Sequence, residues 1–353
     1  MNRDAIDWNA LERLRKAFLG GTAGAIDYWQ SENDLASYDA TFAQRIGWKW
    51  DYVLHELTRR GWSPARGELL DWGCGSGIAS RAFLDHFGPT SISKLQLWDR
   101  SSLAMQFAAK RSREKYPGLE TSVGPGGLAV SPDQSERRSP TRHETFAVSQ
   151  RADSEIGAPR ITLLISHVLT ELTPEQIEAL ADFAARASSV IWIEPGTREA
   201  SLTLIAIRER LRDSFHVIAP CTHQTRCGIL APENHRHWCH HFAAPPPGVF
   251  TDGNWARFAS LMGIDLRDLP LSFLVLDQRP ASPLPPGAAR VIGHPRIYKG
   301  RALLLGCDAS GVREHRLTQR ALPEEFRRWK KGEGDVLQAW RRDGDEIVES
   351  RAI

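Results

Sequence analysis

The sequence lacks any uninterrupted apolar run that approaches the roughly 18 residues of a membrane span. Its first segment, MNRDAIDWNALERLRKAF, has acidic residues early and no apolar stretch, unlike a secretory signal or an acid-poor transit peptide. An excess of charge of one sign is also absent, since the formal net charge is +2 over 353 residues. We therefore expect a protein of the reducing cytoplasm. Its overall charge does not by itself indicate a nucleic-acid partner.

Cysteine is scarce, with five residues in the chain, but three of the five lie in one short segment. The run PCTHQTRCGILAPENHRHWCHHF, residues 220–242, contains Cys221, Cys227 and Cys239 together with five of the twelve histidines. In a reducing compartment, clustered cysteines are more often metal ligands or catalytic groups than disulfides. Cys307 follows far downstream, so four thiolates could meet and bind zinc or an iron–sulfur cluster.

Neither the C-x2-C spacing of a zinc knuckle nor the cysteine run of a ferredoxin is present, so the spacing leaves the metal open. Zinc held by three cysteines and one histidine, namely His223, His237 or His240, is one alternative. Buried free thiols are another, because cysteine is commonly buried. Neighbouring prolines and histidines are poor core material and argue against buried free thiols.

The chain has no internal repeat, and its patterns predict three regions. Helical spacing of apolar residues predicts a helical region over residues 1–60. Strands that alternate with helices over residues 61–243 predict a doubly wound parallel α/β domain. Within it, the Gly-, Pro-, Ser- and Arg-rich segment 118–159 predicts an irregular insertion. Residues 244–353 are expected to form a smaller, mainly β module with a basic tail, which includes the apolar strand LSFLVLD.

A glycine-rich turn in LLDWGCGSG predicts a nucleotide-type site. Asp71 ends a strand, and Gly73, Gly75 and Gly77 lead into a helix whose N-terminus offers unpaired N–H groups. The G-x-G-x-G spacing after an acidic residue resembles the first motif of class I S-adenosylmethionine-dependent methyltransferases. In that family an acidic residue at the end of the next strand holds the ribose hydroxyls, and Asp99 occupies this position. Taken alone, Asp99 could equally be a helix N-cap.

The sequence defines the residues that would catalyse methyl transfer less well than those that would bind the cofactor. Many amino-methylating enzymes have an Asn/Asp-Pro-Pro-aromatic loop after the fourth strand, and this chain has SHVLTELTP there. His167 and Glu171 could handle a proton, although a single histidine at a strand end is more often structural. The motifs therefore assign no catalytic residue and do not demonstrate methyl transfer.

Several segments in order resemble the methyltransferase-like family associated with the small subunit of mitochondrial ribosomes, which also has bacterial members. They are LLDWGCGSG, SHVLTEL, IWIEPGT, the cysteine segment and RVIGHPRIYKGRALLLGCDASG. The resemblance implies a class I methyltransferase fold that binds S-adenosylmethionine, with a 4Fe-4S cluster held by four cysteines. The matching positions are Cys221, Cys227, Cys239 and Cys307. It also implies association with the small ribosomal subunit and its rRNA during maturation.

Under that resemblance the basic residues near the C-terminus become candidate phosphate contacts; the alternative is a solvated helix face. They are Arg313, Arg316, Arg320, Arg327, Arg328, Lys330 and Lys331. The chain departs from the family in the long gap between Cys227 and Cys239, in the insertion before Arg160 and in its C-terminal segment.

Two classes of function follow. The first is an rRNA methyltransferase or methyltransferase-like factor of small-subunit biogenesis and translation. The second is an assembly factor that uses the same fold as a platform without catalysis. A zinc-containing methyltransferase of small molecules is a third alternative.

Overall fold

An eight-stranded sheet forms the centre of the larger part of the molecule. The computed structural model describes residues 6–20, 28–124 and 160–353. The strands of this sheet are β1 (Glu68–Trp72), β2 (Lys94–Trp98), β3 (Thr121–Val123), β4 (Ile161–Ser166), β5 (Ser189–Pro195), β6 (His216–Ala219), β7 (His241–Ala243) and β8 (Leu269–Asp277). Their order is β3-β2-β1-β4-β5-β8-β6, with β7 also paired to β8.

Strands β1 to β5 are parallel to one another, whereas β8 is antiparallel to both β5 and β6. The strand order reverses between β1 and β4, which is where ligands bind in sheets of this kind. This arrangement confirms the predicted fold, a doubly wound α/β sheet of the class I methyltransferase type.

Helices cover both faces of the sheet. They are α1 (Trp8–Leu19), α2 (Glu32–Asp39), α3 (Phe42–Arg59), α4 (Ile78–Phe87), α5 (Ser102–Lys115), α6 (Pro174–Ala184), α7 (Arg198–Leu211) and α8 (Gly253–Met262). Alternate strand residues point to opposite faces. Leu69 accordingly lies in the core with α3 and α4, whereas Leu70 lies in the core with α6 and α7.

Helix α6 begins with a capping box at Thr173. The Thr173 hydroxyl accepts a hydrogen bond from the Gln176 N–H, and the Gln176 side chain accepts one from the Thr173 N–H. This capping box satisfies two backbone donors that the first helical turn leaves unpaired.

The C-terminal strands form a second sheet, as predicted for a smaller, mainly β module. They are β9 (Ala288–Val291), β10 (Arg296–Tyr298), β11 (Arg301–Asp308), β12 (Gly311–Thr318), β13 (Leu337–Asp343) and β14 (Glu346–Ala352), with α9 (Pro323–Lys330) between β12 and β13. The order is β10-β11-β12-β14-β13-β9, and β9 also pairs with β11. Five strands therefore close into a barrel. Phe326 and Trp329 of α9 pack into its core.

One strand lies elsewhere than the sequence analysis placed it. The segment LSFLVLD, assigned there to the smaller module, is part of β8 and lies between β5 and β6 in the first sheet. Its apolar run suits this position, because both faces of the strand are covered and all but one of its residues are buried. The division of the chain at residue 244 into separately folding units stays a prediction.

Most of the predicted irregular insertion, residues 125–159, lies outside the described residues. Its first part contains β3, which pairs with β2. No helix in the described ranges is long and apolar enough to cross a membrane.

Candidate functional site

The glycine loop between β1 and α4 has the backbone that its three glycines predict. Gly73, Gly75 and Gly77 have φ values of +70°, +49° and +77°, a region that side chains with a Cβ rarely adopt. A Cβ on Gly73 would lie 2.7 Å from Val168 Cγ1, and one on Gly77 would lie 2.9 Å from Ala108 Cβ. A Cβ on Gly75 would meet nothing within 4 Å. The outer two glycines thus permit close packing, and the middle one borders open space.

Asp71, at the end of β1, has a carboxylate oxygen with no partner. The side chain is fully buried, and its Oδ2 accepts a hydrogen bond from the Ser80 N–H at 3.1 Å. Its Oδ1 is buried and has no hydrogen-bond partner among the described residues. Burial raises the pKa of Asp71 to about 7. Because a buried polar atom without a partner is costly, this oxygen suits a ligand that brings a donor.

Asp99 follows β2 and ties the glycine loop to the next turn. Its Oδ2 accepts from the Gly75 N–H at 2.8 Å, and its Oδ1 accepts from the Ser101 N–H at 2.9 Å. Ser101, rather than Asp99, is the N-cap of α5. The structure thus brings the five residues proposed from sequence for the cofactor into one place, beside the point where the strand order reverses.

A strained residue follows β4. His167 has φ +57°, and no other described non-glycine residue has a positive φ. Its Nε2 lies 3.1 Å from Lys49 Nζ, and its Nδ1 lies 3.3 Å from Ser166 Oγ, which accepts a hydrogen bond from Trp50 Nε1 at 3.0 Å. Strain of this kind persists where surrounding structure enforces it, often at functional sites.

Lys49 is a group that the sequence analysis missed. The side chain is 8 % exposed, and among the described residues His167 is the only hydrogen-bond partner of its amine. Burial, and next the nearby Arg45, lower the pKa of Lys49 to about 7, while Glu194 opposes the shift. Burial and Lys49 hold the pKa of His167 well below its usual value. Lys49 lies on α3, a helix with an apolar face. The sequence pattern of this helix does not indicate that Lys49 meets His167.

Glu171 and Tyr28 form a second polar group near Asp99. Tyr28 Oη donates to Glu171 Oε1 at 3.3 Å, and Arg100 Nη2 lies 3.8 Å from Glu171 Oε2. Burial raises the pKa of Glu171 to about 7, with Arg100 opposing and Asp99 reinforcing the shift. Two ionisable residues suggested from sequence, His167 and Glu171, therefore both lie at the loop that follows β4, but they have different partners.

The four cysteines proposed as ligands lie in one neighbourhood. Cys221, Cys227 and Cys239 line a single cavity of about 30 Å³. Cys227, Cys239 and Cys307 pack in one apolar cluster with Ile205. Burial, and next the nearby Cys221, raise the pKa of Cys227 to about 11. The thiol of Cys307 also has its pKa raised, first by burial and then by the other three cysteines.

No group of three or more His, Cys, Asp or Glu side chains within the described ranges is arranged to hold a metal ion. The iron atoms of a 4Fe-4S cluster each take a separate cysteine, so its four thiolates need not converge on one point.

Two histidines of the cysteine segment lie close to cysteine thiols. His223 Nε2 lies 3.7 Å from Cys307 Sγ, and His241 Nε2 lies 3.5 Å from Cys239 Sγ. His240 instead stacks on Trp238, with ring centroids 4.6 Å apart. Burial and the nearby Arg236 and Arg296 lower the pKa of His237. Of the three histidines considered as zinc ligands, His223 is the one that the structure places beside a thiol.

Buried arginines surround the cysteines. Arg60 donates to the backbone carbonyls of Pro220 and Cys221, both at 2.8 Å. Arg208 donates to the Thr225 carbonyl at 2.8 Å. Arg290, on β9, donates to Glu56 Oε1 at 2.5 Å and to His241 Nδ1 at 3.2 Å. These cations would offset the negative charge that four thiolates bring into a buried site.

The family model described as mitochondrial small ribosomal subunit Rsm22 matches residues 129–341 of the chain. No curated protein matched the sequence. Among solved structures, the magnesium protoporphyrin IX methyltransferase of Synechocystis PCC 6803 is 14% identical, with a TM-score of 0.37, over 77% of this chain and 97% of that one. TrmK of M. capricolum is 7% identical, with a TM-score of 0.30, over 65% of this chain and 69% of that one. The fold assignment rests on the strand order.

Proposed function

The chain belongs to the family of the mitochondrial small ribosomal subunit protein Rsm22, and from this membership we propose that it is a methyltransferase of the small ribosomal subunit and its rRNA. It would use S-adenosylmethionine and contain a structural 4Fe-4S cluster. The observation that supports this most is the glycine loop at the reversal of the strand order, where Gly75 borders open space and lies between Asp71 and Asp99, the carboxylate that accepts its N–H.

The loop residues fit a nucleoside cofactor with an amino-acid portion. The unpartnered Oδ1 of Asp71 can accept a hydrogen bond from a donor on the ligand. Asp99 can accept from vicinal hydroxyls, since both oxygens of a carboxylate are hydrogen-bond acceptors. When bound, S-adenosylmethionine would supply an electrophilic methyl group.

The Lys49–His167 pair would receive a proton from the methylated group. Methyl transfer to a hydroxyl or an amine leaves a proton that must go to a base. A Lys49 amine that is neutral near pH 7 can take it, and His167 Nε2 can accept a hydrogen bond from the resulting ammonium.

The cysteines and their arginine shell fit an iron–sulfur cluster. Cys221, Cys227 and Cys239 line one cavity, and Cys307 adds a fourth thiol from the barrel. The cluster would fasten the barrel to the first sheet, because its ligands come from both. Bound metal stabilises the folded state by its binding free energy.

A non-catalytic assembly factor is the second candidate. The chain has Ser166, His167 and Val168 at the end of β4 in place of an Asn/Asp-Pro-Pro-aromatic loop, and this departure favours a platform that keeps its cofactor without transferring the methyl group.

Labelled methyl transfer to isolated small subunits separates the two candidates. Wild-type protein and Asp99→Ala would be incubated with S-adenosylmethionine carrying a labelled methyl group, and cofactor binding would be measured by equilibrium dialysis. Incorporation into rRNA that Asp99→Ala abolishes supports the enzyme. Tight cofactor binding without incorporation by the wild-type protein supports the platform, and no cofactor binding contradicts both.

A further inference from the structure

The barrel of the C-terminal module has a recognisable topology. Its five strands lie in the closed order β9-β11-β12-β14-β13-β9, which is first, second, third, fifth, fourth and first again in chain order. The third and fifth strands, β12 and β14, are parallel, and the other neighbours are antiparallel. Helix α9 joins the third strand to the fourth. This is the five-stranded barrel of the OB-fold, whose second and third strands and adjoining loops bind oligonucleotides and oligosaccharides.

The register identifies the side chains on the outer face of these strands. Residues directly opposite each other in neighbouring strands point to the same side of a sheet. Arg296 of β10 is opposite Leu303 of β11, which is opposite Arg316 of β12. Tyr298 is likewise opposite Arg301. Their burial agrees, because these residues are exposed or half-buried, whereas Ala302, Leu304 and Leu317 between them fill the barrel core.

This outer face combines an exposed aromatic ring with cations. Tyr298 is 45% exposed, and the guanidinium of Arg301 lies 5.4 Å from the centre of its ring. Leu303 provides half-buried apolar surface beside them. Arg296 pairs with Glu314, and Arg316 pairs with Glu346 at 3.1 Å. Exposed ion pairs of this kind contribute little, so a phosphate can replace the carboxylate.

We propose that the outer face of β10, β11 and β12 binds a single-stranded segment of RNA. Tyr298 would stack on a base, and Arg301 and Arg316 would contact phosphates, as in other single-strand-binding OB-folds. The arginines favour a polyanion over a neutral oligosaccharide. The choice of RNA over DNA rests on the proposed function at the small ribosomal subunit, whereas the location of the face rests on the barrel topology alone.

The face differs from the basic cluster that the sequence suggested. Arg316 belongs to both the face and that cluster. Arg327, Arg328 and Lys330 of the cluster instead lie on α9, where Arg328 pairs with Glu325 at 3.3 Å. The helix residues would be a solvated face, and Tyr298 would be the central contact.

The test is fluorescence anisotropy of the full chain with a labelled, mixed-sequence 12-nucleotide RNA at several salt concentrations. Tyr298→Ala should weaken binding roughly 10-fold, since stacking on an aromatic ring is lost. Tyr298→Phe, which keeps the ring, should bind within about twofold of wild type. Arg301→Gln and Arg316→Gln should each reduce the slope of log affinity against log salt by roughly 0.7.

Two matched controls are not among the residues of this face. Phe250→Ala removes another exposed aromatic ring, 58% exposed, and Lys330→Gln removes a charge from α9. Both should bind as wild type does. The proposal is overturned if wild type does not bind the RNA, if Tyr298→Ala binds as tightly as Tyr298→Phe, or if neutral maltohexaose displaces the RNA. Cofactor binding and co-sedimentation with small subunits, measured on the same preparations, report separately on the proposed function.

Discussion

At the scale of single residues, the buried amine of Lys49 is the least expected feature. It has no carboxylate within hydrogen-bonding distance among the described residues, and Arg45 is close. A lysine kept neutral by burial can act as a base near pH 7, which an ordinary surface lysine cannot.

Lys49→Met tests this neutral state without an assay of activity. The folded-state pKa of Lys49 is lowered to about 7, below its value in the unfolded chain, so the unfolded chain binds more protons above pH 7. The free energy of unfolding of wild type should therefore rise, relative to Lys49→Met, by at most about 1.4 kcal/mol per pH unit between pH 7 and 9. Urea unfolding at three pH values measures it.

The matched control is Lys110→Met. Lys110 is exposed on α5 and pairs with Glu32, so its removal should leave the pH dependence over this interval as in wild type. An unfolding free energy of Lys49→Met that runs parallel to wild type from pH 7 to 9 would show that Lys49 is charged in the folded protein.

At the scale of elements, the glycine loop separates a packing role from a binding role. In Gly77→Ala the backbone would keep φ +77°, and the new Cβ would lie 2.9 Å from Ala108 Cβ. Both effects are unfavourable, so the free energy of unfolding should fall by about 2 kcal/mol or more. The new Cβ of Gly75→Ala would have no atom within 4 Å. The free energy of unfolding should therefore fall by about 1 kcal/mol, because of the positive φ alone.

In a cofactor-binding assay, Gly75→Ala should have the larger effect of the two substitutions. The Gly75→Ala methyl group enters the open side of the loop and should weaken S-adenosylmethionine binding about 10-fold, in equilibrium dialysis at a temperature where both variants are folded. Unchanged affinity in Gly75→Ala would mean that the cofactor does not approach this backbone.

The sequence predicted elements well where one local pattern determines them. The turn from Asp71 to Gly77 depends on residues a few positions apart, and it forms as expected. Strand β8 shows where this fails. Its apolar run indicates burial on both faces, but not which sheet provides it. The meeting of Lys49 with His167 depends on how α3 crosses the sheet, which no local pattern encodes.

At the scale of the whole molecule, the proposed cluster would join the sheet to the barrel, because Cys307 lies on β11 and the other three cysteines lie between β6 and β7. Cys307→Ser should reduce the iron of anaerobically purified protein from about four atoms per chain to a small fraction of that value. Loss of the cluster should also loosen the barrel, so that thermal unfolding changes from one transition to two. Metal analysis and calorimetry measure the two effects.

Cys74→Ser is the matched control, since Cys74 is buried in the glycine loop rather than among the other four. It should keep its iron. A wild-type protein with one zinc and no iron would contradict the iron–sulfur proposal and leave the cofactor and RNA predictions standing.

The insertion of β8 between β5 and β6 has a consequence for the order in which a nascent chain can fold. Strands β5 and β6 are synthesised before the cysteine segment, whereas β8, at residues 269–277, follows it. Until β8 emerges, β5 and β6 each present an unpaired edge to other chains. The eight-stranded sheet therefore cannot be completed strand by strand in the order of synthesis. It is completed late, after the thiol-rich loop has been made and before the barrel strands are translated.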